Sequence, residues 1–400
     1  MTIRGCSMNR KFLVPILTLG VFSIINTEMG VIGILPLIAE TYQVSLAKAG
    51  LLVSLFALAI AFAGPTMPLL FSGMNRKHAM LLVLGLFSAG TLISAFTESF
   101  VVLVAARVIP AFFHPIYCSL AFSEAAASVS REDAPKAVAK VMMGVSAGMV
   151  LGVPVVSYIA NATSLRIGML SFSAVTILVL LATVFLIPSM PVGEKLSYGS
   201  QLRVLKKQSV WLAIAAVVCL NGAIFGVYSY FAGFLESVTG LAGKFVSILL
   251  LIYGLANIAG NMIAGRQLSR NAAFFCGMFP FLLGVVYLML WFTGQLTIVT
   301  AVVTLSWGVL AGAGANINQY LLMSAAPEAP DFANGLFLTS TNLGTTVGAT
   351  ICGWLISDFG TRSGVWQGLI FLLPCIILIA ILFQRSISTR KRREVRPVTK

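Results

Sequence analysis

Apolar residues run through this chain in long unbroken blocks, separated by short polar stretches. Blocks of about 20 residues or more predict helices that span a bilayer. Twelve are present, at 12–36, 49–71, 79–97, 99–126, 141–161, 167–188, 210–235, 245–265, 272–293, 297–325, 334–357 and 363–383. They are continuous rather than alternating, which excludes a closed β-barrel. The first block is too long for a signal-peptide core and leads directly into the next, so no cleavable leader is expected. The longest polar interruption, "SMPVGEKLSYGSQLRVLKKQS", divides the blocks six and six. The pattern predicts an all-α membrane protein with an N-terminal six-helix half over 1–188, a central loop over 189–209, a C-terminal six-helix half over 210–383 and a basic tail over 384–400.

Positive charge orients the helices, because Lys and Arg are retained on the cytoplasmic side. With the N-terminus inside, 21 of them fall on inner segments, and only Lys48, Arg166, Lys244 and Arg362 on outer loops. The central loop, the tail and both termini are therefore predicted to be cytoplasmic. Composition agrees: 58% of residues are hydrophobic, 10% are charged, and mean hydropathy is +0.98. A soluble chain would carry about a quarter charged residues, so lipid is the solvent. A net charge of +14 would otherwise suggest nucleic acid. Topology already accounts for it, and no nucleic-acid partner is expected.

Six cysteines are scattered, five of them within the blocks, and no C-x-x-C pair occurs. They are expected to pack as small apolar groups rather than hold a metal. No phosphate-binding loop, dinucleotide fingerprint or nucleophile elbow is present. The chain is expected to be neither an enzyme nor a cofactor carrier. Any transport must draw on an ion gradient or on the gradient of the solute itself.

Ionisable groups in lipid are costly, so they point to function. Three lie deep in the blocks: Glu28, Arg107 and His114. Glu124 and Glu236 fall near block ends and are expected at the interface. Glu28 lies 8 residues short of Pro36, and Arg107 lies 8 residues past Ser99. At 1.5 Å per residue both sit roughly 12 Å from the outer face, so the two can meet. Such a contact is either a permanent ion pair or a proton-coupling device. Burial favours a neutral carboxyl and a nearby arginine favours a carboxylate; the carboxylate would then release its proton when the arginine approaches. Val21, Ile24, Val31 and Leu35 share the face of Glu28. His114 follows Arg107 by two turns on nearly the same face. It is either a satisfied core residue or a group that binds solute or titrates near neutral pH.

In the fifth block, "MGVSAGMVLGVPVVSYI", Gly144, Gly148 and Gly152 form a flat face for close helix approach, and Pro154 adds a bend. The predicted motion is a rocking of 12–188 against 210–383. Asn342 in the eleventh block and His114 are each 15 residues from the outer end, so the two halves bring them to one depth. Asn221, Asn257, Asn316 and Gln319 add amides in the second half, and Tyr228 and Tyr230 add aromatic walls. A neutral polar pocket with aromatic walls suits sugars or similar solutes.

The stretches "NTEMGVIGILPLIAE", "ARVIPAFFHPIYCSLAFSEAA", "GMVLGVPVVSYI", "YSYFAGFLESVTG", "LLLIYGLANIAGNMIAG" and "FANGLFLTSTNLGTTVGA" carry a resemblance over most of 12–383. The chain resembles the drug:proton antiporter type of the major facilitator superfamily, and more narrowly the bacterial sugar efflux transporters. That resemblance implies the twelve-helix facilitator fold in a bacterial inner membrane. It implies binding or proton coupling by Glu28, His114 and Asn342. One departure is the loop "PLLFSGMNRK", where Ser72 replaces the family's aspartate while Arg76 and Lys77 are kept. Another is Pro110 and Pro115, which are expected to bend the fourth helix around His114.

The function expected is proton-coupled efflux of small neutral polar solutes such as sugars by a monomer that alternates access. The alternatives are a multidrug exporter, a nucleoside or purine exporter, and a passive sugar facilitator.

Overall fold

The computed structural model describes residues 12–130, 133–191, 201–328 and 330–394, and every described element is a helix or a 3₁₀ turn. In chain order the long helices are α1 (Leu13–Thr41), α2 (Leu46–Ala63), α3 (Arg76–Phe96), α4 (Phe100–Ala127), α5 (Ala134–Ala162) and α6 (Leu165–Leu186). They continue with α7 (Gln208–Ser237), α8 (Gly243–Thr293), α9 (Thr297–Ala325), α10 (Pro330–Phe359) and α11 (Gly364–Glu394). Side-chain caps open several of them. Ser45, Asn75 and Ser164 accept hydrogen bonds from Lys48 N, Lys77 N and Ile167 N at 3.1–3.3 Å, which satisfies backbone donors left free at a helix start.

Among the described residues ten helices are long and apolar enough to cross a membrane. One of the ten is α8, whose 51 residues would extend about 77 Å, far beyond the ~30 Å of a hydrocarbon core. It breaks at Asn271 (φ −152°, ψ 79°). Phe274 N donates to Asn271 Oδ1 at 3.2 Å, so this residue caps the second arm. The eighth and ninth sequence blocks therefore meet at a single residue rather than across a loop. α10, with Ser340, Thr341, Asn342, Thr345 and Thr346 in its middle, falls outside the ten. The helix of the last block runs on to Glu394, so part of the expected tail is helical, and 395–400 lie outside the described residues. Residues 192–200 of the central loop do so too.

Helices α1–α6 form one bundle and α7–α11 another. The end where α1 begins is termed the near end, and the end where it finishes the far end. One apolar core joins both bundles at the far end, running from Val31, Leu35, Leu52 and Val156 to Phe231, Leu250 and Trp307. At the near end the N-terminal bundle has a core of its own, around Leu17, Ile24, Met80, Phe87 and Tyr117. The bundles thus share a core at the far end, while at the near end the N-terminal bundle keeps a separate one.

Contacts across the seam follow that pattern. Ser157 and Ser247 pair through their hydroxyls at 2.9 Å, and Thr346 Oγ1 donates to Ser54 O at 3.2 Å. Tyr230 fits against Gly50 and Gly353. The predicted glycine face of α5 does not lie on this seam. Gly144 packs on the Thr18 carbonyl, Gly148 on Ile25 and Gly152 on Asn26, all of α1 in the same bundle. The seam takes a different face of α5, where Val150 meets Gly254 of α8. Pro154 is buried within a helix assigned without interruption from Ala134 to Ala162.

Candidate functional site

Glu28 stands where α1 changes geometry. Helix runs to Gly30, a 3₁₀ turn covers Val31–Ile34, and helix resumes at Leu35. Gly30 and Gly33 bring this turn against the Gly152 and Val153 carbonyls of α5. Val21, Ile24, Val31 and Leu35 are all fully buried, as their shared stripe predicts. The Glu28 side chain is 12% exposed.

On α4, helix is interrupted at Phe112–Phe113 and restarts at His114, with Pro110 before the gap and Pro115 after it. Proline removes a backbone donor and crowds the preceding turn, which explains the expected bend. The bend presents His114 to α1. Its Nε2 lies 3.3 Å from Glu28 Oε2 and 3.8 Å from Cys118 Sγ, and its buried Nδ1 has no partner.

Arg107 was expected to meet Glu28. Its guanidinium donates to the Thr27 carbonyl at 2.7 Å and feels the Glu28 charge without a direct ion-pair contact, while Glu28 pairs with His114. The two-turn spacing of Arg107 and His114 still sends both to α1, where they engage consecutive residues. The guanidinium lies over the rings of Phe56 and Phe172, at 5.7 and 6.0 Å, which stabilises a charge removed from water. Beside it is a cavity of about 10 Å³, lined by Thr27, Thr91, Phe87 and Gly90, close to the least space that holds one water.

The C-terminal candidates are arranged differently. Asn221 was expected to bind solute, but its amide joins three helices. It donates to Thr341 O at 2.7 Å and Thr345 Oγ1 at 2.9 Å, and it accepts from Asn318 at 3.2 Å. Asn316 donates to Asn261 Oδ1, and Asn261 to Asn257. Tyr228 is buried, stacked on Tyr253 with centroids 4.4 Å apart and edge-on to Trp307. It belongs to an aromatic core rather than a pocket wall, and Tyr230 belongs to the far-end seam. Asn342 is half-buried, and its amide donates to Leu338 O of its own helix at 2.9 Å. Its carbonyl oxygen is an acceptor that this bond leaves unused.

Glu124, expected at the interface, is buried and paired with Arg76. Around that pair the 71–78 loop stays tied to its own bundle. Arg76 N donates to Met190 O at 3.1 Å, Asn75 to Ser189 at 2.8 Å and Lys77 to Val184 O at 2.8 Å. Ser72 turns back to Leu69 O at 2.7 Å. Among the described residues no three His, Cys, Asp or Glu side chains are placed as metal ligands. Sequence reasoning passed over Cys118, Asn318 and Gln367. The spacing of four residues from His114 was the available signal for Cys118; the contacts of the other two depend on helices distant in sequence.

Comparison with known proteins places this architecture. The sequence profile of the Major Facilitator Superfamily matches residues 17–330 and 246–399. The chain is 30% identical over 398 residues to a Bacillus subtilis (strain 168) protein described as "Uncharacterized MFS-type transporter YtbD", covering 97% of this chain and 99% of that protein. It is 27% identical over 378 residues to "Inner membrane transport protein YdhP" of Escherichia coli (strain K12), covering 94% and 96%. Among solved structures, a bacterial homologue of the human lysosomal transporter Spinster, inward-facing and unoccupied, superposes with a TM-score of 0.76 at 17% identity, covering 96% of this chain and 98% of that one. A point mutant of the nucleoside transporter NupG gives 0.75 at 14% identity, covering 94% and 99%.

Proposed function

This chain belongs to the Major Facilitator Superfamily, and we propose that it is a proton-coupled exporter of small neutral polar solutes, sugars in the first place. It is a multi-pass transporter of the inner membrane. In this reading it is a monomer of the drug:proton antiporter type. It has twelve passes: α8 supplies two of them, and α10 spans despite its polar middle. The near end faces the cytoplasm, in keeping with the Lys and Arg asymmetry, and 1–188 rocks against 210–383.

The observation that carries the reading is the Glu28–His114 pair at 3.3 Å. A buried carboxylate is tolerated when a partner compensates its lost hydration. With the pair intact the carboxylate is held between α1 and α4. A proton on Oε2 removes the charge and with it the attraction to His114. The 3₁₀ turn that follows is then free to repack on α5, and this loosens α1 where it contributes to the shared far-end core. Solute leaves at the far end as the proton arrives, and the cycle resets when the proton is released at the near end. Arg107 stays charged beside the exchange and disfavours a second positive charge there. Asn342, half-buried with an unused acceptor, is the solute contact we assign in the opposite bundle, together with His114.

The test is flux in proteoliposomes, with and without an imposed pH gradient, against a panel of sugars, nucleosides and cationic drugs. Wild type should move a sugar uphill when a pH gradient is imposed. Glu28→Gln should bind and exchange solute down its gradient yet fail to concentrate it. Full gradient-driven transport by Glu28→Gln would move the coupling site elsewhere. Wild-type flux indifferent to pH would make the protein a facilitator, and a response to nucleosides or drugs alone would replace the sugar.

A further inference from the structure

Two groups converge on one nitrogen of His114. Glu28 Oε2 lies 3.3 Å from Nε2 and Cys118 Sγ lies 3.8 Å from it, while Nδ1 has no partner. The two partners differ in how they are attached. Glu28 belongs to α1. Cys118 is four residues after His114 on the same arm of α4, so it keeps its place one turn away whatever α1 does. The thiol is a weak donor and a weak acceptor, so it can meet a protonated or a bare ring nitrogen. A buried ring that loses its only strong partner, with nothing in exchange, carries an unsatisfied polar atom and is free to turn.

We propose that Cys118 is the positioning residue of His114: it takes over the Nε2 contact when Glu28 leaves and holds the ring in register until Glu28 returns. This rests on the coupling role given above to Glu28 and His114. While the carboxylate is present, Nε2–H donates to Oε2 and the thiol is a bystander. Once α1 withdraws and water enters, Nε2 gives its proton to water and Nδ1 takes one back, so the ring stays neutral, the S–H donates to a bare Nε2, and the ring proton resides on Nδ1. No bond to sulfur forms and no electrons are transferred. Other charges near the ring are few. Arg107 on the other arm of α4 is bonded to Thr27. Arg76 of α3 and Glu124 pair toward the near end, and Lys136 and Lys140 stand at the exposed start of α5. The packed α2 contributes no charged residue at this depth.

The chain has two histidines, and His78 is exposed. His78→Gln therefore leaves a full-length protein in which nitrogen-15 NMR of the purified transporter reads the His114 tautomer directly. The comparison is among Cys118, Cys118→Ser and Cys118→Ala, each with Glu28 present and with Glu28→Met. With Glu28 present, all three should show the Nε2–H form. With Glu28→Met, the Nδ1–H form should dominate for Cys118 and Cys118→Ser and fall about fivefold relative to the Nε2–H form for Cys118→Ala, the worth of one hydrogen bond. Equal ratios in all three with Glu28→Met would overturn the proposal. If Glu28→Met does not fold, Glu28→Leu, which likewise offers Nε2 no hydrogen bond, serves in its place. The readout does not depend on transport. Flux that ignores pH would remove the coupling role, whereas equal tautomer ratios would remove Cys118 alone.

Discussion

In the N-terminal bundle α1 lies on α5 through Gly144, Gly148 and Gly152; in the C-terminal bundle α7 lies on α10 through Gly222, Gly344 and Gly348. A side chain at any of these positions would meet a neighbouring helix closer than 3.0 Å. The two bundles share a way of packing, but they enclose different chemistry. Between α1 and α4 are a carboxylate, an imidazole and a guanidinium. Between α7, α9 and α10 are the amides of Asn221 and Asn318 and the hydroxyl of Thr345, bonded to one another. Charged groups with sparse partners can change state, because each has more than one arrangement of similar energy. Asn221, whose amide donates twice and accepts once, has one. On the reading proposed above, protons move in the first bundle and the second stays rigid.

The largest expected effect comes from joining the bundles. Ser157 and Ser247, with hydroxyls 2.9 Å apart across the seam, are within reach of a disulfide when both are replaced by cysteine. Oxidation of that double mutant, with every native cysteine except Cys118 replaced, should abolish flux, and reduction should restore it. Full flux in a verified crosslinked protein would end the rocking scheme.

Next in size is Asn221→Ala. It deletes one amide and strands the Asn318 donor, while Thr345 keeps its bond to Thr341 O, so thermal unfolding in detergent should show a loss of about 1–3 kcal/mol. Solute affinity should change little. Asn342→Ala should do the reverse, weakening binding by up to about tenfold in calorimetry while leaving stability nearly untouched. An exchange of these two phenotypes would make Asn221 the contact residue and dissolve the distinction drawn between the bundles.

The smallest effect concerns an ion pair at the near end of the C-terminal bundle. Lys207 bonds Glu328 at 2.5 Å, and this holds the Glu328 carboxyl below its ordinary value. Because the folded value is depressed, the contribution is complete above the ordinary carboxylate value of about 4.3 and is lost as pH falls through the lower folded value. Both side chains are 46% exposed, so solvent screens the pair. Glu328→Gln should leave the melting temperature within about a degree of wild type at pH 7. A larger drop would show that charge also supports the bundle read here as neutral.

Much of this was legible from the order of residues. Long apolar blocks must be helices in lipid, since no other spanning element satisfies its own backbone bonds. The stripe of Val21, Ile24, Val31 and Leu35 is buried, as its helical spacing predicts, even though a 3₁₀ turn crosses it at Val31–Ile34. Depth also follows from sequence, which is why Arg107 and His114 both reach α1. Which of them takes the carboxylate does not follow. That depends on a break between two prolines turning His114 toward α1, and on the Thr27 carbonyl being nearer to Arg107. The partners of the amides were not legible for a related reason. A polar residue inside a bundle can face a cavity or a neighbouring helix, and periodicity along one chain cannot tell which neighbour is there. The glycine stripe identified a close contact but not the helix that makes it.

The core shared at the far end makes closure of this protein a matter of water as well as of geometry. In the proposed rocking motion, opening there would bring the now buried Val31, Leu35, Leu52, Phe231 and Leu250 into contact with solvent. Exposed apolar surface raises heat capacity, and the attraction that keeps it buried weakens on cooling. The balance between the two ends should therefore curve with temperature rather than follow a straight van't Hoff line. Cold should favour the state with the far end open, with no change in pH, solute or voltage.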